Sequence, residues 1–244
     1  MADRPFRSMT RLIALGCWLA LAKPPACGQT GNVTAKVVIH GAPRSASTKK
    51  NSALSNVVVW LTPLQPQGLK PAAQSQGQYR LLQKDKQFSP HLLVVPTGSN
   101  VEFPNADPFF HNVFSLFKGK RFDLGLYESG TSRSVKFDRE GVSYIFCNIH
   151  PEMGAVVLAL STPYYAISGK NGDVVIRGVP PGSYHLQVWS EQAKLSSPDY
   201  PRTVQVTGSG TNLGEIEMEA VVSPLTDHKN KFGEDYRPVP GQPY

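Results

Sequence analysis

The chain has 244 residues, three of them cysteines, with 25 Lys and Arg against 18 Asp and Glu for a formal net charge of +7. That length holds one large or two small domains with real cores, and the modest charge, with no basic run interleaved with aromatics, argues against nucleic-acid binding. Gly and Pro stand at 21 each and no amphipathic pattern of three or more helical turns is present, which predicts an all-β protein of short strands and tight turns.

At the amino terminus, Arg4, Arg7 and Arg11 precede an apolar run, Leu12 to Ala22, that ends in Ala20-Leu21-Ala22. The run is too short to span a bilayer and has the pattern of a secretory signal peptide, residues 1–22, cleaved after Ala22. Its removal takes away three Arg and one Asp and lowers the net charge from +7 to +5. The expected mature chain is exported, periplasmic in a bacterium. A lipid on Cys27 is the alternative to a free chain, although Pro24-Pro25-Ala26 is a poor signal for it. Cys17 falls in the leader, which leaves Cys147 as the one cysteine of the folded body. In an oxidising compartment such a thiol is either a small buried hydrophobe or a metal or redox thiolate.

Thr34 to His40 alternates, with Ala35, Val37 and Ile39 on one face and Lys36 and His40 on the other, so His40 reads as solvated. Polar Gly41 to Ser55 leads to a second strand, Val57 to Leu61, and Pro63 to Gln78 lacks periodicity and reads as a linker. Tyr79 to Gln83, Leu92 to Val95 and Val101 to Phe103 are the next strands. Pro104-Asn105-Ala106-Asp107 then enters Pro108 to Phe114, an aromatic stretch that contains His111. Lys118 to Gly130 reads as a long loop carrying Lys120, Arg121 and Tyr127, before strands at Ser134 to Phe137, Val142 to Phe146 and the continuously apolar Ala155 to Leu160.

Beyond Pro163, Tyr164 to Ser168 and Asp173 to Arg177 flank Gly169-Lys170-Asn171-Gly172, a hairpin signal because Asn and Gly both tolerate positive φ. Tyr184 to Trp189 follows the Val179-Pro180-Pro181-Gly182 turn and puts Tyr184, Leu186 and Val188 inward and His185 outward. Thr203 to Val206 and Glu215 to Met218 complete the strands. The tail from Val221 is polar and Pro-rich, expected to be disordered or draped over the surface, with His228 solvated.

Chemistry concentrates in Cys147-Asn148-Ile149-His150-Pro151-Glu152-Met153, directly after a strand. Two imidazoles, one thiolate and a weak axial thioether make a blue-copper electron-transfer site. The loop supplies three of these ligands, Cys147, His150 and Met153, and His111 is the obvious fourth. Taken singly, each residue reads as an ordinary core filler or incidental polar group. Their order and spacing, with no disulfide partner for Cys147, favour a metal. Zinc also accepts His and Cys, but the thioether makes it the poorer fit.

The span from Tyr79 to Leu160 resembles the cupredoxins of the plastocyanin and amicyanin type. The likeness rests on Pro104-Asn105-Ala106-Asp107 leading to His111-Asn112-Val113, and on Tyr144-Ile145-Phe146-Cys147-Asn148-Ile149-His150-Pro151-Glu152-Met153, whose short loop looks like amicyanin. The resemblance implies a Greek-key β-sandwich with one type 1 copper. Its equatorial ligands would be His111, Cys147 and His150, its axial ligand Met153, and Asn105 and Asn112 would brace the cysteine loop by hydrogen bonding. It also implies electron exit at His150 through an apolar rim that includes Pro108, Phe109 and Phe110. Glu152 departs from the apolar character such loops have beside the histidine.

Asp173 to Trp189 resembles a carboxypeptidase regulatory-like (transthyretin-like) β-sandwich module, whose opening strand would be Asn56 to Leu61. The expected organisation is a signal peptide at 1–22, a cupredoxin domain at 79–160 inserted into a discontinuous sandwich at 32–64 and 163–220, and a tail at 221–244. The arrangement resembles bacterial methylamine-utilisation-like proteins. The function expected is that of a mononuclear copper protein carrying single electrons between periplasmic partners, a quinoprotein dehydrogenase or a c-type cytochrome, as a monomer and not as an enzyme. The alternatives are copper trafficking or sequestration, which would add Met or His runs, and an envelope-associated β-sandwich binding protein that has lost its metal.

Overall fold

The computed structural model describes residues 29–41, 54–65, 78–116, 119–197, 201–226 and 228–236. The expected leader, Cys17, Cys27, most of the linker and the prolines at 238, 240 and 243 lie outside the described residues. The chain is all-β. Among the described residues no helix is long and apolar enough to cross a membrane.

In chain order the strands are β1 Gly31–His40, β2 Val58–Pro63, β3 Tyr79–Arg80, β4 Leu82–Lys84, β5 Gln87–Ser89 and β6 Leu92–Pro96. They continue with β7 Ser99–Pro104, β8 His111–Ser115, β9 Phe122–Tyr127, β10 Ser132–Phe137, β11 Gly141–Cys147 and β12 Gly154–Leu160. The last are β13 Tyr165–Ile167, β14 Asp173–Val179, β15 Gly182–Trp189, β16 Ala193–Leu195, β17 Arg202–Val206 and β18 Thr211–Ala220.

Two groups of strands emerge from the pairing. Sheets β14-β1-β18-β16 and β13-β2-β15-β17 draw on both ends of the chain and enclose one core, with Val37, Leu61, Ile176, Tyr184 and Ile216 among its fully buried residues. Sheets β6-β12-β11-β8-β9 and β10-β7-β3, with the β4-β5 hairpin, come from the middle of the chain and enclose a second core around Phe103, Phe137, Ile145 and Cys147. Strand β2 pairs with β13 and β15, from Tyr165 and Leu186 outward, and not with β3, β4 or β6.

Alternation along three strands explains how the groups meet. Successive side chains of a strand point to opposite faces. In β2 and the residue before it, Val57, Val59 and Leu61 face the first core while Val58 and Trp60 face outward. In β12, Ala155, Val157 and Ala159 face the second core while Val156, Leu158 and Leu160 face outward. The outward residues, with Leu92 and Val94 of β6, form a third buried cluster between the two groups. Strands buried on both faces read as unbroken apolar runs, which is the sequence character of both β2 and β12.

An ion pair spans the same junction. His91, before β6, donates to Glu191, after β15, across 2.5 Å. The hydrogen bond to Glu191 raises the His91 pKa above its ordinary 6.5, against the opposing effect of burial. Burial pushes Glu191 upward, but the bonds from His91 and Ser223 outweigh it and hold the carboxyl below its ordinary 4.5. A raised histidine pKa contributes stability that is complete below 6.5 and is lost as pH rises through the folded value. The thermal midpoint is therefore expected to fall between about pH 6 and about pH 9, with a smaller fall in Glu191→Gln, as followed by circular dichroism.

Two sequence expectations are corrected. Lys118 to Gly130 is not all loop, because Phe122–Tyr127 is β9 and pairs with β8. Asp123 and Gly125 imitate a turn, but they make a bulge opposite Asn112 and Phe114, with Gly125 at φ 66 and its N–H donated to Asp123. The Asn171-Gly172 turn is present, yet its flanking strands do not form a hairpin: β13 pairs with β2 and β14 with β1, in opposite sheets. Gly172 lies against Val37, where a Cβ would meet the Val37 carbonyl oxygen at 2.4 Å. That close approach, as much as turn geometry, requires the glycine.

Candidate metal centre

Cys147 ends β11, paired with Val113 of β8, and the loop to β12 begins immediately after it. The loop is closed by backbone bonds from Cys147 N–H to the Met153 carbonyl (3.3 Å) and from Met153 N–H to the His150 carbonyl (3.1 Å). A third, from Asn148 N–H to the Asn112 carbonyl (2.9 Å), ties it to β8, the strand that begins with His111. Two strand ends held in one sheet thus present their side chains to one point.

At that point His111 Nδ1, His150 Nδ1 and Cys147 Sγ form a triangle with sides of 3.1, 3.5 and 3.6 Å. A point equidistant from all three lies about 2 Å from each, the span of metal bonds to imidazole nitrogen and near that to thiolate sulfur. The three residues form a group that could hold a metal ion, and all are buried. Met153 is fully buried in the same core cluster as Cys147.

The second nitrogen of His111 is committed. Its Nε2 donates to Asp107 Oδ2 at 2.8 Å, which leaves Nδ1 as the lone-pair nitrogen facing the triangle. Asp107 also accepts the backbone N–H groups of Asp85 (2.6 Å) and Lys86 (3.1 Å), the two residues of the β4-β5 turn, both at φ 54. Burial pushes the Asp107 carboxyl upward, but the bonds from His111 and these amides outweigh it and hold it below the ordinary carboxylate range. Burial lowers both histidines, and at His150 the neighbouring His111 adds to the effect, so both rings are favoured neutral and able to donate lone pairs. Burial raises the Cys147 thiol against backbone hydrogen bonds from Asn112, Ile149 and His150 that favour the thiolate. A coordinated cation reverses that balance, because it deprotonates a thiol outright.

Asn105 and Asn112 do not brace the cysteine loop with their side chains. Asn105 braces the approach to His111, donating to the Phe109 carbonyl (2.8 Å) and accepting from the Asp107 N–H (3.0 Å). Asn112 acts on the cysteine loop through its backbone, while its side chain donates to Asp123 at 2.6 Å. Beneath the His111 approach lies a buried polar network that sequence reasoning also missed. Gln83 donates to Tyr127 Oη (2.5 Å) and to the Phe103 carbonyl (3.2 Å), and Tyr127 donates to that carbonyl at 3.0 Å.

Phe109 packs on both histidines, its ring 5.3 Å from His111 and 5.4 Å from His150. Pro108, Phe110 and Ile149 are exposed around them, with Phe110 and Ile149 at 50% and 39%. His150 itself is only 4% exposed, so the rim is formed by its apolar neighbours. Glu152 is exposed and lines a depression shared with Gln87, Phe88, His91, Gly154 and Leu225.

No protein family and no curated protein matches the sequence. Among solved structures, a novel purple cupredoxin from Nitrosopumilus maritimus is 24% identical over 34% of this chain and 100% of its own, with a TM-score of 0.31. A copper-containing nitrite reductase from Thermus scotoductus is 22% identical over 41% of this chain and 28% of its own, with a TM-score of 0.34. A reduced, Cu(I) amicyanin variant is 19% identical over 35% of this chain and 85% of its own, with a TM-score of 0.33. At such scores the chemistry has to be read from the donor set itself.

Proposed function

We propose that the chain is a mononuclear type 1 copper protein of the cupredoxin kind that carries single electrons between exported redox partners. His111, Cys147 and His150, with Met153 buried in the same core, would hold the copper. The observation that carries this reading is the buried triangle of two imidazole nitrogens and one sulfur, sized for a metal at its centre. A soft donor set with a buried thioether in the same core favours copper over zinc. Copper, when bound, supplies a one-electron couple.

The protein's part is to keep the ligand geometry nearly constant. His111 is oriented by Asp107, and Cys147 and His150 are held by backbone bonds within a loop that Pro151 stiffens further. Phe109 covers both imidazoles and limits water at the site. Exposed Pro108, Phe110 and Ile149 form an apolar rim that suits a transient partner such as a quinoprotein dehydrogenase or c-type cytochrome. We also propose that 79–160 is the copper-binding unit and that 32–64 and 163–220 together make a transthyretin-like sandwich interrupted by it.

Loading the purified mature protein with Cu(II) and measuring stoichiometry and visible spectrum tests the function. One copper per chain with an intense thiolate-to-copper band is the expected result. A colourless or multi-copper product overturns it.

A further inference from the structure

Where it is described, the tail after β18 is draped over the surface through specific contacts, and His228 is stacked on an aromatic ring and not simply solvated. Leu225 joins the cluster between the two groups of strands and packs where β12 starts, 3.4 Å from the position of a Cβ on Gly154. His228 then stacks on Phe146, with rings 4.0 Å apart and inclined by 17°. Phe146 immediately precedes Cys147 and points to the opposite face of the sheet, so the tail covers the outer side of the residue whose neighbour faces the metal triangle.

The tail next grips the loop at two places, one a side chain and one a backbone carbonyl. Lys231 N–H donates to Asn148 Oδ1 at 2.9 Å, and Tyr236 Oη donates to the Cys147 carbonyl at 2.7 Å. Tyr236 Oη lies 3.0 Å from His228 Nε2, so the stacked ring and the phenol support each other. Lys231 Nζ also reaches Asp123 at 2.8 Å, and Asp123 holds the side chain of Asn112, next to His111. The residues adjoining two candidate ligands are therefore tied to the same segment.

We propose that Leu225 together with residues 228–236 forms a strap that sets the conformation of the metal-binding loop, with Tyr236, His228 and Lys231 as positioning residues. The inference rests on the copper reading for its consequence and on the hydrogen bonds and packing of the tail for its existence. It also gives the β1/β18 group a mechanical connection to the centre: the chain leaves β18 and Tyr236 reaches the carbonyl of Cys147. Partners that hold a ligand's surroundings typically change metal affinity by about 10–100-fold when removed.

The test uses the full mature chain with Tyr236→Phe, which removes one hydroxyl, and His228→Ala, which removes the stacked ring. In the metal-free protein, amide exchange at Asn148 to Gly154 is expected to quicken by about fivefold, as loss of one hydrogen bond predicts, with no change at Val174 to Leu186. In the copper-loaded protein, affinity is expected to fall by about tenfold, with a displaced thiolate-to-copper band. Exchange and affinity within about twofold of the parent in both variants would overturn the strap, as would equal acceleration across both groups of strands, which marks a purely global role. If the parent binds no copper, the proposed function fails while the exchange measurement still decides the strap.

Discussion

Cys147→Ser is expected to abolish the thiolate-to-copper band and to weaken copper binding by more than about 100-fold, beyond what loss of an outer partner costs. A serine hydroxyl does not ionise near neutral pH, so the anionic donor of the triangle disappears. The fold should survive. Cys147 is completely buried, but serine is close to it in size and shape, so the metal-free protein should lose no more than about 1–3 kcal/mol from burying the hydroxyl. A competition titration with a chelator of known affinity reads the first effect and urea unfolding of the metal-free protein the second. Retention of the band would show that another residue supplies the sulfur or that the ion sits elsewhere.

Asp107→Asn should weaken copper binding by about 10–100-fold without removing any ligand. The carboxylate accepts from His111 Nε2–H and from two backbone amides, and it is 3% exposed. An amide side chain has one accepting oxygen and one donating nitrogen. If its oxygen takes the Oδ1 position and keeps the amide of Asp85, its N–H₂ faces both the Lys86 N–H and His111 Nε2 and forces the proton onto Nδ1, the atom aimed at the triangle. If its oxygen keeps His111, a backbone amide loses its partner, at about 1–3 kcal/mol of fold stability. Nitrogen NMR shifts of the His111 ring distinguish the two outcomes, and unchanged affinity with an unchanged tautomer would refute the role given to Asp107.

Much of the candidate site was legible because it depends on local spacing. Cys147, His150 and Met153 lie three residues apart after a strand, and His111 opens another strand amid aromatics, so residue type and order suffice to nominate them. Asp107 lay in plain view four residues before His111. Its role depends on the β4-β5 turn reaching it from some twenty residues upstream, and no local pattern announces that contact.

The strap was illegible for a related reason: a polar, proline-rich tail carries little apolar periodicity, and its anchors are single side chains meeting a loop more than eighty residues away. Strand β9 was hidden by Asp123 and Gly125, whose turn chemistry here serves a bulge.

The sequence by itself determined the all-β class, the positions of most strands and the identity of the candidate donors, since these follow from period-two alternation and from the chemistry of His, Cys and Met at short spacing. Only the tertiary structure decided which sheet each strand joins, as the Asn171-Gly172 turn illustrates by linking opposite sheets. It also decided what covers the back of Phe146 and what orients His111. Those choices are made by long-range burial and by satisfying buried polar groups, and both depend on residues that are distant in the chain and adjacent only once it has folded.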